Sequence, residues 1–153
     1  MKSLKHFLVL VIISSVTLLA CKKDCKNHCE IIKNGLPLSP SQEVPVRVSN
    51  ASGTMDVSYN KCTKMLSYKI TWSNLTGDVQ GSHIHGTAAK GGNAPIKYDF
   101  TALILKKSTG TFSNTVKVDE IAIKEDSLLK GFYYINLHTP KFPGGEARGQ
   151  IEF

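Results

Sequence analysis

The stretch SGTMDVSYNKCTKMLSYKITW, residues 52–72, gives the strongest indication of the fold. Apolar and polar residues alternate along both of its halves, and a polar turn, Asn60-Lys61-Cys62-Thr63, separates them. Alternation with a period of two predicts strands with one buried face, and the turn predicts that they pair as an antiparallel hairpin. The side chains expected inside are Met55, Val57, Tyr59, Leu66, Tyr68, Ile70 and Trp72.

Short strands are also predicted downstream of this hairpin, with a helical turn within residues 119–130. Seven or eight short strands with turn signals between them and no long helix are typical of a β-sandwich or a closed barrel. A chain of 153 residues with 41% hydrophobic residues has room for one such domain. The sequence therefore predicts a single all-β domain, with further strands at 79–85, 96–105, 110–118, 132–138 and 146–153.

The N-terminal segment predicts export. An apolar run of 14 residues, 7–20, follows two lysines, and it is shorter than the roughly 20 residues that a membrane-spanning helix needs. We interpret residues 1–20 as a cleaved signal peptide. The end of the run, Leu18-Leu19-Ala20-Cys21, resembles the bacterial lipobox, in which the cysteine becomes the lipid-carrying N-terminus.

The lipobox resemblance implies a bacterial lipoprotein with an acyl anchor, such as palmitate, on Cys21. Residues 21–35 are polar and are expected to form a tether, which leaves 36–153 for the β domain. The expected location is the cell envelope, at the outer membrane. The expected partners are the membrane, through the lipid, and an unidentified envelope or extracellular molecule.

The charge distribution supports this placement. The chain has a formal net charge of +7, and a cation near anionic headgroups adds about 1 kcal/mol of membrane affinity. The remaining lysines are scattered rather than interleaved with aromatics on one face, so we do not expect nucleic-acid binding. The cations next to the anchor are Lys22, Lys23, Lys26 and Lys33.

Four cysteines allow one internal disulfide if Cys21 carries lipid. An oxidising compartment permits the bridge, and spacing leaves open whether Cys62 pairs with Cys25 or with Cys29. Cys25-x-x-His28-Cys29 resembles part of a metal-binding knuckle, but the motif lacks a second ligand pair. A disulfide is therefore the expected use of these residues.

Strand phase brings polar side chains from three strands to one side of the predicted sheet. In His83-Ile84-His85 the two imidazoles point away from Ile84. The same alternation places Asn136 and His138 opposite the apolar positions of their strand. The last strand contributes three outward polar residues, Glu146, Arg148 and Gln150.

Two interpretations of this group are open. In the first, it is a polar network in which Glu146 pairs with Arg148 and the histidines bond to loop carbonyls. In the second, His83, His85 and His138 bind copper or zinc at a three-ligand site, with redox or hydrolytic activity. A His-x-His pair suits a metal because alternate strand residues are about 7 Å apart and can converge on one ion.

Nothing in the sequence predicts a catalytic nucleophile. There is no Gly-x-Ser-x-Gly elbow, and the acidic residues are dispersed. The glycine-rich loop at 90–95 lacks the Gly-Lys-Ser/Thr ending of a phosphate loop. We therefore expect a non-enzymatic binding or structural module.

At these residues the chain resembles the CHRD domain, a module named for its repeats in chordin and found in many bacterial exported proteins. The resemblance covers about residues 36–153 and implies an immunoglobulin-like antiparallel β-sandwich or barrel, without a defined biochemical activity. His83-Ile84-His85 and Arg148 also resemble the copper ligands and active-site arginine of copper-zinc superoxide dismutase, whose other metal ligands have no clear counterparts here. The matching CHRD blocks are Gln42-Glu43-Val44-Pro45, Ala51-Ser52-Gly53, His83-Ile84-His85-Gly86, Gly92-Asn93-Ala94-Pro95-Ile96, Tyr134-Ile135-Asn136-Leu137-His138-Thr139 and Phe142-Pro143-Gly144-Gly145-Glu146-Ala147-Arg148-Gly149-Gln150-Ile151.

Overall fold

The structure is a computed structural model that describes residues 29–153. Two four-stranded antiparallel sheets pack face to face as a sandwich, which confirms the predicted all-β, immunoglobulin-like fold. The strand order is β1-β2-β3-β6 in sheet A and β5-β4-β7-β8 in sheet B. The elements are β1 (Glu30–Leu38), a 3-10 helix (Pro40–Gln42), β2 (Ser52–Asn60), β3 (Met65–Ser73), β4 (Gly81–Gly86), β5 (Ile96–Asp99), β6 (Gly110–Lys117), α1 (Glu125–Leu129), β7 (Tyr133–His138) and β8 (Ala147–Ile151).

The predicted hairpin forms the centre of sheet A. Strands β2 and β3 pair in unbroken register from Ser52 opposite Ser73 to Asn60 opposite Met65. The turn is held by the Asn60 side chain, whose Oδ1 accepts backbone N–H groups from two turn residues at 3.0 and 2.9 Å. All seven side chains expected inside are at most 2% exposed. Burying each of them stabilises the fold by roughly 1.5–3 kcal/mol.

Sheet B follows the predicted phases along its two central strands. Ile84 on β4 and Ile135 and Leu137 on β7 face the core and are fully buried. Sheet A packs closely against the end of the chain at Gly149, where an added Cβ would meet a Met55 side-chain carbon and the Pro37 carbonyl oxygen, each at 2.7 Å. Glycine is therefore required at this contact between the two sheets.

The strand predicted at 96–105 is much shorter in the structure, where β5 ends at Asp99. The Asp99 carboxylate accepts the backbone N–H of Thr101 at 2.9 Å, which turns the chain. The Phe100 carbonyl then accepts N–H groups from residues 103 and 104 at 2.9 and 3.2 Å. This local turn satisfies the backbone groups that a longer strand would have paired.

The predicted tether is too long, because residues 30–35 belong to β1. This edge strand pairs with β2 from Glu30 opposite Asn60 to Leu38 opposite Gly53, with a bulge between Lys33 and Leu36. Most of its side chains are exposed, so the segment has the polar composition of a linker. The domain therefore includes residues 30–35, which precede the predicted boundary at residue 36.

Cys29 and Cys62 form a disulfide in the structure, with Cα atoms 5.5 Å apart. The bridge joins the residue before β1 to the β2–β3 turn. The predicted signal peptide 1–20, the lipidation site Cys21 and the alternative partner Cys25 lie outside the described residues. Within residues 29–153, no helix has the length and apolar character required to cross a bilayer.

Candidate metal-binding and polar site

Strands β4 and β7 bring the three predicted histidines together. The two strands pair antiparallel, with Gly81 opposite His138 and His83 opposite Asn136. A Cβ on Gly81 would lie 3.2 Å from the His83 ring and 3.3 Å from the His138 ring. Glycine at this position therefore leaves room for two imidazoles to meet, and we call the three rings of His83, His85 and His138 the histidine cluster.

The rings of the histidine cluster are close enough to share one ion. Nδ1 of His83 lies 2.9 Å from Nε2 of His138, and the two ring centroids are 4.7 Å apart. The His83 and His85 centroids are 5.4 Å apart. One nitrogen from each of the three rings falls within 4.8 Å of the others. Alternation along β4 and pairing with β7 thus produce the convergence predicted from the sequence.

Backbone carbonyls hold two of these rings from outside. Nδ1 of His85 lies 2.8 Å from the Ala94 carbonyl oxygen, and Nδ1 of His138 lies 2.8 Å from that of Pro143. A carbonyl only accepts, so both Nδ1 atoms carry the proton and both Nε2 atoms present a lone pair. The His138 Nε2 accepts from His83, and Asn136 Oδ1 lies 2.9 Å from the same nitrogen. Two acceptors cannot form a hydrogen bond, so a lone pair on this Nε2 requires the Asn136 amide to turn and present its NH2 group to the ring. The His85 Nε2 is buried and has no hydrogen-bond partner within residues 29–153.

All three imidazoles are held in the neutral form. Burial, then the neighbouring His138, lowers the pKa of His83 to about 4. Burial also lowers the pKa values of His85 and His138. The rings are therefore uncharged at neutral pH, which is the form that ligates metals.

The face of sheet B that carries these residues is covered rather than exposed. Strand alternation predicts that the side chains of Arg148 and Gln150 point outward, yet these residues are only 1% and 3% exposed. Loop carbonyls lie over them, because Arg148 donates to Gly92 at 2.8 Å and Gln150 donates to Ala88 at 3.3 Å. Strand alternation correctly predicts which face of sheet B carries these side chains. Loops cover that face, so the side chains are buried rather than exposed.

The Arg148 guanidinium lies 3.4 Å from the centroid of the Tyr134 ring. The same tyrosine stacks parallel to His85 with centroids 4.8 Å apart. Cation–π contacts of this kind contribute up to about 2 kcal/mol when desolvated. The arginine therefore helps to fix the plane of the tyrosine that packs on His85.

The predicted pairing of Glu146 with Arg148 is wrong. Glu146 is fully buried, and its carboxylate accepts the backbone N–H of Thr76 at 3.0 Å, the Thr76 hydroxyl at 2.8 Å and the Thr139 hydroxyl at 2.6 Å. Glu146 lies immediately before β8. Its donors are Thr76, in the connection between β3 and β4, and Thr139, directly after β7. Local donors therefore satisfy the carboxylate, and it takes no part in the arginine network.

The acidic group facing Arg148 is Glu43, which sequence reasoning did not single out. It is 4% exposed, and burial raises its pKa to about 7 against the opposing attraction of Arg148. Gly145, at φ +114°, admits the carboxyl, because a Cβ there would come too close to it. Glu43 lies in Gln42-Glu43-Val44-Pro45, one of the blocks that resemble the CHRD domain, and this resemblance could have identified it as a candidate site residue.

Asp99 was also missed as a neighbour of the histidine cluster. Its Oδ1 lies 3.7 Å from Nε2 of His83, the ring nitrogen not bonded to His138. The carboxylate is largely exposed, and hydrogen bonds from Thr101 lower its pKa. It lies on β5, which pairs with β4, so its register opposite His83 depends on a strand pairing that the sequence alone does not reveal.

The CHRD domain profile matches residues 35–151 of the chain. The match spans most of the protein and coincides with the sandwich and the covered polar face, so the chain belongs to the CHRD domain family. Membership indicates a binding or structural module. No curated protein and no solved structure matches the chain.

Proposed function

We propose that this CHRD protein is a lipid-anchored module of the bacterial cell envelope that binds or supports a partner and catalyses no reaction. Membership of the CHRD family over residues 35–151 is the observation that carries the proposal. Within residues 29–153, the hydrogen bonds of the three imidazoles go to each other, to Asn136 and to backbone carbonyls, and none goes to a hydroxyl or thiol. This arrangement offers no activated nucleophile.

The Cys29–Cys62 disulfide supports export, because structural disulfides persist in oxidising compartments outside the cytoplasm. It also ties the start of the domain to the β2–β3 turn. From Cys21 to Cys29 there are only eight residue steps, 29 − 21. An extended chain of that length spans at most about 30 Å. A lipid on Cys21 would therefore hold the sandwich close to the headgroups.

Anchoring is tested by metabolic labelling with a palmitate analogue and by detergent phase partitioning of cell extracts. The wild-type chain should be labelled and should enter the detergent phase. Cys21→Ser should abolish both, whereas the matched control Cys25→Ser should abolish neither. An unlabelled wild-type chain, or label retained by Cys21→Ser, would contradict lipid anchoring at this residue.

Partner binding is tested by capture from envelope extracts with the tagged full-length chain, with excess untagged chain as competitor. The proposal expects saturable capture of a defined envelope component that the competitor removes. The capture is repeated in the presence of candidate substrates, and turnover is followed in parallel. Reproducible turnover without any saturable capture would count against a binding or structural role.

A further inference from the structure

The histidine cluster has an arrangement that a purely structural network does not require. The His85 Nε2 is buried without a hydrogen-bond partner within the described chain. Leaving such a group unsatisfied is costly, because a buried acceptor gives up its hydrogen bonds to water and gains none in return. Two of the rings are oriented by backbone carbonyls on Nδ1, so their Nε2 lone pairs are directed inward. An outer hydrogen bond of this kind commonly fixes the tautomer and orientation of metal-ligating histidines.

We propose that His83, His85 and His138 bind one divalent transition-metal ion, Zn(II) or Cu(II), independently of the role in anchoring and partner binding. His85 and His138 would ligate through Nε2, and His83 through Nδ1, the atom that faces His138. Imidazole suits both ions, and among residues 29–153 the ligand set includes no thiolate or carboxylate that would favour others.

The distances fit such a centre after small adjustments. Metal–nitrogen bonds of about 2.0–2.1 Å in a tetrahedral site place ligand nitrogens about 3.3 Å apart. The His83 and His138 nitrogens are 2.9 Å apart, and the largest separation in the cluster is 4.8 Å. The ligand nitrogens therefore need to move by about 1.5 Å or less relative to one another.

Metal binding exchanges the tautomer of His83. Without metal, His83 Nδ1–H donates to the lone pair of His138 Nε2. The ion needs both lone pairs, so the Nδ1 proton is lost to solvent and Nε2 takes one up, which leaves the ring neutral and the proton count unchanged. The new Nε2–H faces the Asp99 carboxylate, whose Oδ1 is 3.7 Å away. Asp99 thereby accepts a hydrogen bond from His83, in the same way that backbone carbonyls accept one from His85 and one from His138.

The site has an open side. His83 and His138 lie on the wall of a surface depression that also contains Gln80, Asp99 and Thr101. Three neutral ligands leave the full 2+ charge on the ion. The fourth position, facing the depression, therefore takes a water molecule or a small anion.

The proposal is tested by titrating the metal-free full-length chain, in detergent, separately with ZnCl2 and CuSO4 in a calorimeter. We expect one equivalent of at least one of these ions to bind. His83→Gln and His85→Gln should each weaken binding by at least the roughly 100-fold that loss of an outer-shell partner can cost. Asp99→Asn, which keeps all three imidazoles, should weaken it by about 10- to 100-fold.

The matched control is the double variant Cys25→Ser/His28→Gln, which removes a thiol and an imidazole upstream of Cys29 and should bind as tightly as the wild type. If a thermal melt shows that His85→Gln is not folded, His83→Gln and Asp99→Asn provide the test of metal binding, because both residues border the surface depression. The proposal is overturned if the wild-type chain binds neither ion at one equivalent. It is also overturned if binding is unchanged in the folded histidine variants or disappears in the control.

Discussion

Replacing Glu43 by Gln should make the protein more stable at alkaline pH than the wild type. The Glu43 carboxyl is buried, and its pKa is raised from 4.5 to about 7. The groups facing it are Arg148, Arg47 and Asn136, all of which favour the ionised form, but desolvation outweighs them. Gln has nearly the same shape as the protonated acid and never ionises.

The magnitude follows from linkage between proton binding and folding. Between pH 4.5 and 7 the native state keeps the Glu43 proton and the unfolded state has lost it, so wild-type stability falls as pH rises through this window. A tenfold change in a proton equilibrium is about 1.4 kcal/mol, so the full loss is on the order of 3 kcal/mol above pH 7. The lowered pKa values of the histidine cluster make the free energy of unfolding rise with pH below pH 6.5. This contribution is the same in the wild type and in Glu43→Gln.

The assay is urea unfolding of wild type and Glu43→Gln, with the disulfide intact, at half-unit steps from pH 4 to 8.5. Subtracting the two free energies of unfolding cancels the histidine contribution. The advantage of Glu43→Gln should be near zero at pH 4 and should grow to about 3 kcal/mol at pH 8. A difference that is constant with pH would refute the raised pKa. A difference that falls with pH would mean that ionised Glu43 stabilises the fold through Arg148.

Three further changes should affect stability. Glu146→Gln should cost about 2 kcal/mol in urea unfolding, because buried threonine donors lose a charged acceptor, whereas the control Glu152→Gln, at an exposed ion pair, should cost under about 0.5 kcal/mol; equal costs would contradict this. Replacing Cys29 and Cys62 by Ser should cost about 4 kcal/mol, given their separation of 33 residues, and an unchanged denaturation midpoint would argue against the bridge. Ile84→Ala should lower the melting temperature through a loss of about 2–5 kcal/mol, and a loss below about 1 kcal/mol would show that the residue does not face the core.

The fold could be predicted where one face of a strand is buried. The 52–72 hairpin, Ile84 and Ile135 follow from alternation because the core selects every second side chain. Strand β1 could not be predicted in this way, because it is an edge strand with mostly exposed side chains. Its polar composition is that of a linker, and only pairing with β2 makes it a strand.

The candidate site was predictable in its members but not in its surroundings. Strand phase is a local property, and it correctly placed His83, His85 and His138 on one face. Which loops cover that face depends on contacts between distant segments, such as Asn93 donating to the Val44 carbonyl at 3.0 Å. For this reason the burial of Arg148 and the separate partners of Glu146 emerge only from the structure.

Metal binding at the histidine cluster requires that the three imidazoles converge, with the His85 and His138 protons on Nδ1 and their Nε2 lone pairs directed inward. Long-range proton–nitrogen NMR of the 15N-histidine-labelled, metal-free chain at pH 7.5 reports the tautomer of each ring directly. We predict the Nδ1–H tautomer for all three rings, and a switch of His83 alone to Nε2–H when one equivalent of Zn(II) is added. An Nε2–H tautomer for His85 or His138 in the metal-free protein would contradict this arrangement of the three rings.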